Sequence, residues 1–113
     1  MSLIDEVQFN ADGLVPVIAQ DAQNGQILMF AWMNRATLQE TLDTGQVTYW
    51  SRSRKARWRK GETSGHTQAL VELRIDCDGD VLLAKVRQEG PACHTGQRSC
   101  FFRKSVDGSW AED

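Results

Sequence analysis

Proline and cysteine are scarce in this chain of 113 residues, with two of the first and three of the second. Pro16 and Pro91 stand isolated and far apart, so neither marks a linker. An odd number of cysteines does not describe a disulfide framework. Long apolar runs are missing too: the longest, Ile27 to Met33, falls far short of the roughly 20 residues a membrane helix needs. Charge of one sign is not in excess, because 13 basic residues face 15 acidic ones for a net charge of -2. That balance argues against a nucleic-acid coat or a binder of acidic membranes. Met1 to Glu6 show no basic segment leading into an apolar one, so no secretory signal is expected. Repeats and low-complexity tracts are absent. What remains is the expectation of one cytoplasmic domain over residues 1–113, whose 41% hydrophobic and 25% charged residues suit a folded core.

The chain reads as mostly β. Leu14 to Gln20 is apolar and β-branched, Asn24-Gly25 is a hairpin turn signal, and Ile27 to Met33 returns. The near-continuous apolarity of that second run predicts burial on both faces. Asn34 is placed to cap a short helix through Leu38 and Leu42, and Gly45 to end it. Gln46 to Trp50 reads as strand and Ser51 to Gly65 as loop. Gln68 to Ile75 and Val81 to Val86 read as strands about the Asp78-Gly79 turn. Glu89 to Ser99 reads as loop, Cys100 to Arg103 as a short last strand, and the tail beyond Lys104 carries no signal.

Three groups of residues carry chemistry. In Asp76-Cys77-Asp78-Gly79-Asp80 the alternating carboxylates would share one face of an extended segment, with Cys77 on the other. Carboxylates so placed repel one another unless a cation or solvent relieves them. Their oxygens suit Mg²⁺, whereas a thiolate suits Zn²⁺. An EF-hand is excluded, because glycine falls at the fourth loop position and Arg87 at the twelfth. The plain alternative is a solvated hairpin turn. The second group runs from Cys93 through His94 to Cys100, too widely spaced for a zinc knuckle but not for a loop returning to one ion. Three thiolates with an open fourth position describe a catalytic zinc, which activates water at neutral pH. His94, next to a ligand, is a candidate proton carrier. The alternatives are inert core thiols and a surface imidazole.

The third group packs six basic residues, Arg52, Arg54, Lys55, Arg57, Arg59 and Lys60, between and beside Trp50 and Trp58, followed by Gly61, Ser64, Gly65 and His66. Guanidinium forks bind phosphate, amides beside glycine add donors, and indoles stack on bases. In an otherwise acidic chain this suits a small phosphorylated, base-containing ligand better than a polynucleotide; a solvated basic face is the plain alternative.

These residues resemble the phosphoribosyl-AMP cyclohydrolase family of histidine biosynthesis. The likeness runs from Gly13 to Arg103 and is most specific in Trp50 to Arg54, Trp58 to Gly65, Asp76 to Asp80 and Cys93 to Gly96. The resemblance implies an intertwined homodimer of small mixed-sheet pseudobarrels with one or two short helices. It implies a zinc ion per subunit held by Cys77 of one copy and Cys93 and Cys100 of the other, and Mg²⁺ on Asp76, Asp78 and Asp80. The implied reaction is hydrolysis of the N1–C6 bond in the adenine ring of 1-(5-phosphoribosyl)-AMP, giving the phosphoribosyl-formimino imidazole carboxamide ribotide, by zinc-activated water with Mg²⁺ assistance. Arg52, Arg54, Trp58, Lys60, Gly61, Ser64, Gly65 and His66 are the expected substrate contacts. His94 is the expected proton carrier, with His66 the other candidate. Some relatives carry a second, pyrophosphohydrolase domain, and that activity is expected to be absent here.

Rival readings fit less well. An RNA-binding zinc module would want a basic chain. A zinc nucleoside deaminase would show His-x-Glu and Pro-Cys-x-x-Cys, and a thiol redox protein Cys-x-x-Cys; none of these occurs here.

Overall fold

The computed structural model describes residues 2–113. After a single 3-10 turn, Leu3–Glu6, strand β1 (Leu14–Asp21) and strand β2 (Ile27–Asn34) form an antiparallel hairpin in which Val17 faces Ala31. Asn34 ends β2 and begins helix α1 (Arg35–Thr44). Its side chain accepts the Thr37 N–H at 2.8 Å, and Thr37 Oγ1 accepts the Asn34 N–H at 3.0 Å. This reciprocal cap contributes on the order of 1 kcal/mol. Gly45 stops the helix as the sequence predicts, its N–H reaching Thr41 O. Thr41 Oγ1 then accepts the Thr48 N–H at 2.9 Å, tying α1 to strand β3 (Thr48–Ser51).

Strand β3 pairs with β4 (Ala56–Arg59), and β5 (Gln68–Ile75) with β6 (Leu82–Gln88). Strand β6 also runs parallel to β1, so the main sheet is mixed and four-stranded in the order β2-β1-β6-β5. The alternation in these strands sends Val15, Val17 and Ala19 of β1 and Leu82, Ala84 and Val86 of β6 into one core. Leu28 and Met33 of β2, Leu38 of α1, and Val47 and Tyr49 complete it. Each large apolar side chain buried here contributes about 1.5–3 kcal/mol. A last hairpin, β7 (Arg103–Val106) with β8 (Ser109–Glu112), makes its main contacts with itself.

Several expectations need correction. The sheet is open, and the described residues form no closed barrel. The segment 51–65 is not all loop: β4 lies within it, because Trp58 turns toward Tyr49 while Arg57 and Arg59 reach Glu40 on α1. Cys100 to Phe102 are not strand. Cys100 N–H donates to Leu28 O at 2.7 Å, and the pairing strand begins only at Arg103. Strand β2 is not buried on both faces in one chain, since Ile27 and Phe30 are exposed. The Asp76–Asp80 segment is a turn rather than extended backbone, so no alternation of faces sets the placing of its side chains.

Candidate active site

The polar, glycine-containing chain after β4 folds back over the end of the core. Gly61 makes this possible: at φ +81° its Cα lies so close to the next turn that a Cβ would stand 2.5 Å from His66 C. Gly65 N–H closes the loop onto Gly61 O at 2.8 Å. His66 is held from two further sides. Its ring lies against Gly90, where a Cβ would come within 2.7 Å of Cδ2. Its carbonyl accepts from Gln88 Nε2 at 3.4 Å, the last link of a buried polar chain. Tyr49 Oη donates to Gln68 Oε1 at 2.6 Å, and Gln68 Nε2 donates to Gln88 Oε1 at 2.8 Å. Such a chain is stable in a core only when its members are paired, and it then fixes one arrangement.

The outcome is a cavity of about 370 Å³ lined by Trp58, Lys60, Gly61, Ser64, His66, Cys93 and His94 among others. Residues far apart in sequence, singled out for different chemistry, thus meet at one place. Gly65 is in the same loop but does not line the cavity. Trp58 also lines an adjoining cavity of about 710 Å³ with Trp32, Trp50, Arg52 and Arg54, so the two form one face. Arg52 stacks over the Trp32 ring at 4.5 Å. Lys60 is turned inward: its Nζ donates to Ala92 O at 2.8 Å and lies 5.6 Å from the Trp58 ring centre. Burial holds its pKa below the ordinary lysine value, against the pull of the Cys100 and Cys93 sulfurs.

Cys93 and Cys100 lie close enough to influence each other's proton affinity. Burial pushes the Cys93 thiol up, but the Thr95 hydroxyl at 3.0 Å, the Thr95 N–H, the Cys100 thiol and the Lys60 charge together bring it below the ordinary value. Cys100 is pushed up to about 11, by burial first and then by Cys93. The two thiols are thus shifted in opposite directions. Cys77 lies elsewhere, in the β5–β6 turn at the start of β6, whereas Cys93 follows the end of that strand. Strand β6 alone spans about 20 Å at ~3.3 Å per residue. One chain therefore supplies two adjacent thiols and a remote third.

Beside Cys77, the carboxylates of Asp76, Asp78 and Asp80 offer oxygens all within 4.8 Å of one another. Asp76 Oδ1 accepts the Asp80 N–H at 3.0 Å, which closes the turn. The Asp80 carboxyl is pushed above its ordinary value by desolvation and by the charges of Asp76 and Asp78. Hard oxygen donors this close suit a small divalent cation, across which opposite ligands stand about 4.2 Å apart. This turn borders a cavity of about 490 Å³ shared with Leu3, Val7 and Leu73.

The sequence reading missed the buried polar residues beside these groups. Tyr49, Gln68 and Gln88 form the buried chain behind His66, and Asp21 pairs with Arg98 inside the Cys93–Cys100 loop at 2.6 Å. The polar Gln68 and Gln88 at the ends of apolar strands were the available signal.

A small mixed-sheet domain with a nucleotide-sized, aromatic and basic cleft beside paired thiols has the makings of a hydrolytic enzyme of small nucleotides. Comparison with known proteins is specific. Residues 29–102 match the family model described as phosphoribosyl-AMP cyclohydrolase. The phosphoribosyl-AMP cyclohydrolase of Salinibacter ruber is 60% identical over 111 residues, 98% of this chain and 87% of that protein. Those of Bordetella avium and Marinobacter nauticus are 66% and 61% identical, over 92% and 95% of this chain and 78% of each relative. The chain belongs to the phosphoribosyl-AMP cyclohydrolase family and is an enzyme of that family.

Proposed function

We propose that this chain hydrolyses the N1–C6 bond in the adenine ring of 1-(5-phosphoribosyl)-AMP, a step of L-histidine biosynthesis, in the cytoplasm and as a homodimer. The observation that carries the reading is the cavity in which Trp58, Lys60, Gly61, Ser64 and His66 meet Cys93 and His94. The aromatic wall of Trp32, Trp50 and Trp58 offers faces on which a purine stacks, and Arg52 and Arg54 offer forks for the phosphates. A polynucleotide is not the partner in this reading, because the net charge is -2.

The donor sets fit two metals. Cys93 and Cys100 would hold zinc together with Cys77 of a second copy, since within one chain Cys77 is at the far end of β6. Asp76, Asp78 and Asp80 would hold Mg²⁺. When bound, a zinc ion with one open position supplies water of pKa about 7 and the Mg²⁺ offsets phosphate charge. The protein residues supply the rest. The stacking wall orients the ring so that water adds at C6. As the N1–C6 bond breaks, N1 takes a proton, and His94 or His66, both lining the cavity, carries it from the water. The buried chain from Tyr49 to Gln88 holds the main chain at His66 in place.

The test is metal analysis of the purified protein together with a spectrophotometric ring-opening assay before and after chelation. The reading predicts one zinc per chain, loss of turnover with the metal, and recovery when zinc and Mg²⁺ are restored. Full turnover by zinc-free protein contradicts it.

A further inference from the structure

Arg98 stands between the two adjacent thiols in sequence, and its side chain leaves their loop. One guanidinium nitrogen donates to Asp21 Oδ2 at 2.6 Å and the other to Gly90 O at 3.2 Å. The Asp21 side chain is only 6% exposed, and its other oxygen accepts the Gln23 N–H at 2.8 Å and the Asn24 N–H at 3.4 Å. Asp21 is therefore anchored to the β1–β2 turn with one oxygen and offers the other to the loop. A carboxylate this buried requires partners, and Arg98 is its charged one. Neither residue lines the cavity of His66 and His94 or belongs to the Tyr49 chain.

The backbone makes the same residue a junction. Arg98 O accepts the Ala92 N–H at 3.0 Å, and Gln97 O the Cys93 N–H at 3.1 Å, folding the Cys93 side of the loop back. On the other side, Ser99 Oγ donates to Ile27 O and Cys100 N–H to Leu28 O, each at 2.7 Å, so Cys100 is fixed to β2. Among the described residues, none from 91 to 97 bonds directly to the four-stranded sheet. The Cys93 side is instead tethered through Arg98 and through Lys60, which donates to Ala92 O.

We propose that the Asp21–Arg98 pair is a positioning device for the thiol pair, holding Cys93 beside Cys100 before a metal arrives. This rests on the reading of Cys93 and Cys100 as zinc ligands. A rigid guanidinium fork set between a fixed carboxylate and the Gly90 carbonyl suits the task, because ordering the loop in advance removes that cost from metal binding.

The experiment measures Zn²⁺ affinity by competition with a chromophoric chelator, and the absorption spectrum of the Co²⁺-loaded protein, for the full chain and its variants. Asp21→Asn keeps the acceptor for the turn and removes the charge. Arg98→Gln removes the fork at a side chain already 43% exposed, and so carries the test if Asp21→Asn fails to fold. Each is expected to weaken Zn²⁺ binding about 10- to 100-fold, the usual loss when groups that hold metal ligands in place are removed. The Co²⁺ bands are expected to weaken and shift, and the double variant to bind no worse than the poorer single one. Arg98→Lys is expected to recover part of the affinity. Variants that bind Zn²⁺ within about twofold of wild type, with or without a loss of urea stability, overturn the proposal. A wild-type chain without zinc, or a Cys93→Ser chain that binds as tightly as wild type, overturns the metal reading itself.

Discussion

Alanine at position 61 tests how tightly the loop of the site is built. Its methyl carbon would lie 2.5 Å from His66 C and Thr67 N and 2.7 Å from His66 O. All three are backbone atoms and cannot rotate aside. The segment they belong to is pinned, since Thr67 O accepts the Glu89 N–H at 3.0 Å and His66 O accepts from Gln88. Two costs add. A side chain in the left-handed region loses about 1–2 kcal/mol, and overpacking a rigid site loses about 1–3 kcal/mol, for a sum of about 2–5 kcal/mol. Gly65 provides the control: it shares φ +81°, but a Cβ there meets nothing within 4 Å. Gly65→Ala therefore bears only the first cost, and the difference between the variants isolates the close approach at about 1–3 kcal/mol. Urea unfolding at fixed protein and metal concentration, followed by tryptophan fluorescence, measures it. With a slope of about 2 kcal/mol per molar urea, the Gly61→Ala midpoint is expected about 0.5–1.5 M below that of Gly65→Ala. Coincident midpoints would refute the reasoning.

Two other outcomes follow from the same geometry. Tyr49→Phe leaves the buried acceptor of Gln68 unpaired and is expected to cost about 1–3 kcal/mol, read as a lower urea midpoint with an unchanged slope. The Arg98 guanidinium holds the Asp21 carboxyl below the usual carboxylate range. Its contribution is therefore full above the unfolded pKa of about 3.9 and is lost as pH falls through the lower folded value. Urea stability followed from pH 5 downward is expected to fall less steeply in Asp21→Asn than in wild type; equal slopes would show that the pair does not contribute.

Local signals in the sequence carried much of the architecture. Asn34 and Gly45 bound the helix because one side chain and one left-handed residue decide a helix end locally. Asn24-Gly25 and Asp78-Gly79 fall in the loops that join β1 to β2 and β5 to β6. Strand β4 was hidden, because its alternation is between arginines that find Glu40 across the chain and a tryptophan that finds Tyr49; only the fold supplies those partners. The Asp107-Gly108 turn joining β7 to β8 was a legible hairpin signal that went unread behind a charged tail. At the site, the residue types that bind phosphate, stack on bases and carry protons could be named from the sequence, and the fold brings most of them to one face. The separation of Cys77 from the other two thiols could not be read from their spacing, since the length of β6 lies between them. The buried pairs Asp21 with Arg98 and Tyr49 with Gln68 join residues far apart in the chain, and such partners carry no local mark.

Mixing two inactive variants tests the proposed shared centre most directly. Cys77→Ser and Cys93→Ser are each expected to be inactive alone. In a twofold dimer, random pairing makes about half the molecules mixed, and each mixed molecule has one complete set of Cys77, Cys93 and Cys100. Unfolded, combined and refolded with zinc and Mg²⁺, the mixture is expected to regain about one quarter of wild-type ring-opening activity, with zinc bound in proportion. A mixture that stays inactive while wild type refolds under the same conditions would contradict a centre built from two copies of this chain.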